Sequence, residues 1–272
     1  MNIRRRIFTS LALSLTLSFP VHAMKKFSAT DFFSGPQLEL AQAIERGDMV
    51  QVKQLAPKTD LNTPGRKNMT MLFFALQEAL QRDPRRLAIA TEVAEAGADP
   101  LQEVPNYGDP LGVVLNSPHP EFLRALLDAG IDSNFVYEGD PLIFHVASES
   151  TFGSLKLLVE RGADVNKRDS LRNSALYEAL KGYSLDQVEY LLDHGANPNT
   201  YNINGLSFPL ALSRRIEDNA SAPESPAYKK LLEIRDRILK MGVKWPPETP
   251  EQIRARWGTN APRQLDDSKV PL

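Results

Sequence analysis

The sequence predicts an all-α solenoid of about six helix-turn-helix units joined by finger-like loops. Three observations carry that expectation. One phrase recurs four times, as Gly97-Ala98-Asp99-Pro100, Gly130-Ile131-Asp132-Ser133-Asn134, Gly162-Ala163-Asp164-Val165-Asn166 and Gly195-Ala196-Asn197-Pro198-Asn199, with glycines 33, 32 and 33 residues apart. Leucine-rich amphipathic runs precede it. A second phrase, a capping residue followed closely by leucine, recurs upstream of each run. A fixed period in this range marks stacked supersecondary units, each too small to cover its own apolar faces.

The units follow in chain order. The first holds Leu40-Ala41-Gln42-Ala43, a helix–helix turn at Gly47-Asp48 and a finger at Asp60-Leu61-Asn62. The second opens at Thr70-Met71-Leu72 and stops at Gly97. The third opens at Asp109-Pro110-Leu111, continues through Phe122, Leu123, Leu126 and Leu127, and stops at Gly130. The fourth runs from Asp140-Pro141-Leu142 through Leu155, Leu157 and Leu158 to Gly162. The fifth runs from Ser174-Ala175-Leu176 through Val188, Tyr190, Leu191 and Leu192 to Gly195. The sixth is degenerate: it starts near Phe208-Pro209-Leu210, is interrupted over residues 217–227, resumes at Tyr228 and stops at Gly242.

Each signal has a local cause. Thr, Asp and Ser cap helix N-termini, and proline is tolerated at the first helical position. Apolar residues three and four apart form one helical face. Glycine after that face takes the left-handed conformation that ends the helix. The Asp-x-Asn segment turns the chain because its side chains satisfy local backbone groups. Leu40, Leu72, Leu111, Leu142, Leu176 and Leu210 are expected as the first inward residue of each short helix.

The ends carry other messages. Arg4-Arg5-Arg6, an acid-free apolar stretch from Ile7 to Val21 and Val21-His22-Ala23 read as a signal peptide over residues 1–23, cleaved after Ala23. The alternative is an uncleaved anchor, for which this stretch is short against the roughly 20 residues of a span. Met24 admits two readings, an internal start yielding a cytoplasmic form or a coincidental methionine. Phe27, Phe32 and Phe33 are expected in an N-terminal cap over 24–36, the repeats over 37–244, and Trp245, Ile253 and Trp257 in a C-terminal tail over 245–272. The chain has no cysteine, so an exported form gains nothing from disulfides and rests on packing between units.

Composition excludes other classes. The chain has 32 basic and 34 acidic residues; without residues 1–23, which hold three arginines and no acid, 29 remain against 34, a net −5. That charge disfavours nonspecific nucleic-acid binding and docking on an anionic bilayer. No nucleophile elbow, zincin helix or phosphate-cradling loop is present. His22, His119, His145 and His194 are scattered, and no cluster has metal-ligand spacing. The expectation is a non-enzyme with no cofactor, no metal, no stable membrane insertion and no small-molecule ligand.

The two recurrent phrases together resemble the ankyrin repeat, whose consensus carries Thr-Pro-Leu-His-x-Ala at the first helix and Gly-Ala-Asp-x-Asn at the finger. Repeats four and five match best. The consensus histidine is replaced by Phe73, Gly112, Ile143 and Tyr177, which implies a lost hydrogen bond between repeats and reduced stability. The resemblance implies a concave binding face built from fingers and first helices. In this chain the fingers supply Tyr107, Phe135, Tyr137, Arg168, Arg172 and Tyr201, and the fifth first helix supplies Tyr177 and Glu178. Tyr and Arg are enriched at interface hot spots; the alternative is that Phe135 and Tyr137 pack finger to finger.

An exported ankyrin chain of this size is similar to the ankyrin-type immunity proteins paired with phospholipase effectors of type VI secretion systems. That resemblance implies a periplasmic protein that binds and neutralises a lipase-type effector toxin. The alternative is a periplasmic scaffold or stress-protection partner of a housekeeping enzyme. A hidden enzyme in residues 217–227 or 245–272 lacks any nucleophile–base pair.

Overall fold

A computed structural model of the chain describes residues 27–257. The expected leader, Met24 and the tail from residue 258 lie outside the described residues, as does the side chain of Trp257.

Helix pairs follow one another as the glycine period requires. A short helix α1 (Ala29–Phe32) precedes unit one, α2 (Gly35–Arg46) and α3 (Met49–Leu55). Unit two is α4 (Met71–Glu78) and α5 (Pro84–Glu95), and unit three is α6 (Pro110–Leu115) and α7 (Pro120–Asp128). Unit four is α8 (Leu142–His145) and α9 (Phe152–Glu160), and unit five is α10 (Ala175–Lys181) and α11 (Leu185–Asp193). Unit six is α12 (Phe208–Asp218) and α13 (Pro226–Lys240), followed by α14 (Pro250–Trp257). First helices pack on first helices and second on second, so the chain makes two rows with one shared core.

The caps work as the residue types dictate. The side chains of Thr70, Asp109, Ser174 and Ser207 accept the backbone N–H three residues on. At the other end, Gly97 sits at φ 104°. Its N–H donates to the Ala94 carbonyl at 3.0 Å, and the Ala98 N–H to the Val93 carbonyl at 3.2 Å, the paired bonds of a Schellman stop. Gly130, Gly162, Gly195 and Gly242 repeat this geometry.

Three expectations are corrected. Asp140 is not a helix cap. It pairs with Tyr137 in a two-residue hairpin, β1 (Val136–Tyr137) against β2 (Asp140–Pro141). Glu138 and Gly139 turn the hairpin at φ 51° and 94°, the two positive values that a type I′ turn requires. This leaves α8 a single turn, so the fourth repeat is the least regular of the first helices. Leu210 is not the inward residue of α12. The cap is Ser207, so Phe208 and Pro209 take the buried positions that Ala175 and Leu176 take in α10, and Leu210 is half-buried. The interruption of the sixth repeat is also shorter than expected: α12 runs on to Asp218 and α13 begins at Pro226.

Leu72, Leu111, Leu142 and Leu176 are fully buried, and Leu123, Leu126, Leu155, Leu158, Val188 and Leu191 answer them from the second row. Phe32 and Phe33 close one end edge-on against Phe74, with centroids 6.2 and 5.5 Å away. At the other end Ile253 is buried, Trp245 packs on the core and the Arg254 guanidinium donates to the Asn204 carbonyl at 2.7 Å.

The fingers are stapled by asparagine. The Asn134 amide donates to the Gly162 carbonyl at 3.0 Å, while its oxygen accepts the Asp164 N–H at 2.9 Å. Asn62 makes the same two bonds to Gly97 and Asp99, and Asn166 to Gly195 and Asn197. Leu101 occupies the equivalent place in the second finger, with its N–H on Asp99 just as that of Asn134 is on Asp132. Leucine cannot bridge, so the seam between units two and three lacks this staple.

Candidate functional site

Of the eight residues singled out for binding, only Tyr107 stands exposed; the other seven are half-buried. The Tyr107 ring rests edge-on at 5.7 Å from Phe73. Phe135 packs against the core. The Tyr137 hydroxyl donates to Asp109 at 2.6 Å, and its carbonyl lies 3.0 Å from His145 Nε2. Burial first, and the Asp109 carboxylate second, hold the Tyr137 phenol above the ordinary tyrosine range.

Arg168, Arg172, Tyr177 and Tyr201 come together, but they fill the space they share and leave no cavity. Arg168 Nε donates to the Arg172 carbonyl and its Nη2 to the Tyr201 carbonyl, both at 2.8 Å. Burial, with the neighbouring Arg172 charge, pushes its guanidinium down to about 10. Arg256 of α14 lies 5.7 Å from the Tyr201 ring centroid. Glu178 pairs with Lys181 at 3.0 Å. Tyr137 and Arg168 therefore tie neighbouring fingers together.

The open part of this face lies nearer the N-terminus. A trough of about 450 Å³ runs between α4 and α6, with Phe73, Leu76, Leu80, Val113 and Tyr107 among its lining residues. Leu80 and Tyr107 are each 62% exposed and Val113 is 41% exposed. Phe27 and Phe32 line it from the N-terminal cap, and Lys67 from the first finger. Exposed apolar surface of this kind marks an interaction site. Sequence reasoning missed all of these residues but Tyr107. The available signal was the consensus departure at Phe73, which reads only as a missing histidine.

The second-helix face is different. There a groove of about 620 Å³ lies across α3, α5 and α7, and mixes Met49 and Leu87 with Lys53, Arg82, Glu92, Glu121 and Arg124. Lys53 and Glu92 pair across it at 3.6 Å. Among the described residues there is no cluster of metal-ligating side chains, and no helix is long and apolar enough to cross a membrane.

The family described as ankyrin repeats, in three copies, matches residues 111–202. The solved ankyrin repeat domain of Bcl-3, a member of the IkappaB family, overlays with a TM-score of 0.55 at 23% identity, covering 79% of this chain and 92% of that one. The fold is that of an ankyrin-repeat solenoid. Similar proteins include the B-cell lymphoma 3 protein homolog of Mus musculus, 29% identical over 47% of this chain and 32% of that protein. Putative ankyrin repeat protein R664 of Acanthamoeba polyphaga mimivirus is 34% identical over 28% of this chain and 51% of its own length. Alpha-latroinsectotoxin-Lt1a of Latrodectus tredecimguttatus is 29% identical over 42% of this chain and 9% of the toxin. The matches thus span about half or less of these relatives. Ankyrin repeats are protein–protein interaction modules, and the matching family is not an enzymatic one.

Proposed function

We propose that this ankyrin domain is a periplasmic immunity protein that binds and neutralises a secreted lipase-type effector. The observation that carries the binding reading is the first-helix face around Leu80 and Tyr107. It is apolar, exposed and continuous with the fingers, as a hot-spot region should be. The compartment is supported by the sequence of residues 1–23 alone, and the effector by the resemblance to exported immunity proteins. Inhibition needs no chemistry from the inhibitor: covering a lipase's active-site entrance excludes its substrate. The Met24 form would add a cytoplasmic population able to meet the effector before secretion.

The test is affinity capture of the tagged chain from the periplasm, followed by assay of the captured protein. Recovery of a phospholipase whose activity falls as the ankyrin chain is added supports the reading. Recovery of a housekeeping enzyme, with no effect on any lipase, would replace it with the scaffold role.

A further inference from the structure

We propose that the trough between α4 and α6 binds a free long-chain fatty acid, its carboxylate at Lys67 and its acyl chain along Phe73, Leu76, Leu80 and Val113. This goes beyond protein binding and does not depend on it. The trough's volume of about 450 Å³ lies within the roughly 300–1,000 Å³ of small-molecule sites, which are mostly apolar with a few placed polar groups. Its composition has a polarity. Lys67 is the one charged residue in the lining, beside Gln77, Ser117 and the Tyr107 hydroxyl.

That cation has no carboxylate partner among the described residues; its Nζ lies 5.8 Å from the ring centroid of Phe32, another lining residue. Lys67 is exposed, so its ammonium is accessible to a ligand lying in the trough. An unpaired cation at one place on an apolar trough matches a ligand with one anionic head and one apolar chain. A protein segment would use the same apolar walls without needing an anion at Lys67, so charge reversal at that residue separates the two occupants.

Calorimetry on the purified full chain tests the proposal. The probes are octanoate, decanoate, laurate and myristate below their micellar concentrations, with dodecyltrimethylammonium as the cationic counterpart. The expected result is one saturable site. Affinity rises about twofold to fourfold per methylene, the upper value being full burial. Laurate is favoured over the cationic surfactant, and Lys67→Glu reverses that order. Leu80→Asp and Val113→Asp, both at exposed positions, abolish laurate binding while the circular dichroism melt is unchanged. If either aspartate variant fails to fold, the charge reversal at Lys67 still decides the matter. Absence of saturable laurate and myristate binding overturns the proposal. So does binding that survives in folded Leu80→Asp and Val113→Asp, or anionic phospholipid vesicles being bound while monomeric laurate is not. A lipase partner lost in Leu80→Asp, with laurate silent, would give the trough to a protein segment and leave the immunity reading standing. Laurate binding with no captured lipase would do the reverse.

Discussion

The Tyr137 hydroxyl donates a 2.6 Å hydrogen bond to the carboxylate of Asp109, the residue that caps α6 one repeat earlier. The other Asp109 oxygen accepts the Gly112 N–H at 2.8 Å. One carboxylate therefore starts a helix and ties down the next finger. Gly112 makes this possible, because a Cβ there would collide with the Tyr137 hydroxyl. The missing consensus histidine at position 112 is thus not a lost contact between repeats. It is the clearance for a different one.

Tyr137→Phe is expected to cost about 1–2 kcal/mol, since hydrogen bonds to charged groups contribute more than neutral ones. Gly112→Ala should also destabilise, although alanine is the better helix former by about 1 kcal/mol. In a Tyr137→Ala background the same change at 112 should be neutral or stabilising. A double-mutant cycle by urea unfolding measures the coupling; simple additivity would remove the clash as the reason for the glycine.

The same bond predicts a pH dependence. The Tyr137 phenol is raised above its ordinary value, which is about 10 in an unfolded chain. The folded state then holds its proton more tightly, so the contribution is complete below about pH 10 and is lost as pH climbs through the folded value. Tyr190 is raised too, by burial and then Glu160, so the comparison must be with Tyr137→Phe. The stability gap between wild type and variant should narrow above about pH 10. A gap constant to pH 11.5 would disprove the linkage.

Leu101→Asn should stabilise the chain by about 0.5–1.5 kcal/mol by completing the staple to Gly130 and Asp132. Asn166→Ala should lower stability by a similar amount. Thermal melts of both variants check this. A neutral Leu101→Asn would mean that the second seam is set too wide for the bridge.

Leu158→Ala and Leu176→Ala should each cost about 2–5 kcal/mol, the range for large-to-small changes in a packed core. Leu210→Ala should cost well under half as much, because Phe208 and Pro209 hold the inward positions there. Equal losses at 176 and 210 would restore the register read from leucine spacing.

Arg168→Ala is expected to destabilise by about 1–3 kcal/mol, as it removes the guanidinium that donates to the Arg172 carbonyl on its own finger and to the Tyr201 carbonyl on the next. Tyr107→Ala should leave the melting temperature within about 2 °C, as surface changes usually lie within ±0.5 kcal/mol, and weaken partner capture. The reverse pattern would move the binding face toward the C-terminal fingers.

What could be read from the sequence was local. Glycine stops, cap residues and apolar spacing act over one or two helical turns, and they located every helix pair. The errors arose where spacing stood in for geometry. Leu210 fits the leucine interval, yet Ser207 sets the cap one residue earlier than that interval implies. Asp140-Pro141 looks like a capped start, while Glu138-Gly139 just before it carries the hairpin. The trough was out of reach for a different reason. Phe27, Phe73, Tyr107 and Val113 lie in different segments, and only stacking makes them neighbours. Conversely Tyr137 and Arg168 have hot-spot chemistry, but their polar atoms are already engaged within the stack.

The unbridged finger at Leu101 has a consequence for how the molecule comes apart. In a linear array, stability is a sum of unit terms and nearest-neighbour terms, and cooperativity breaks first at the weakest junction. The first two units and their phenylalanine cap form a block that can loosen while the remainder stays folded. Amide exchange should divide the chain near residue 101, with faster exchange on the N-terminal side. The trough straddles that division, so any ligand seated in it acts as a clasp and brings the exchange rates of the two blocks together.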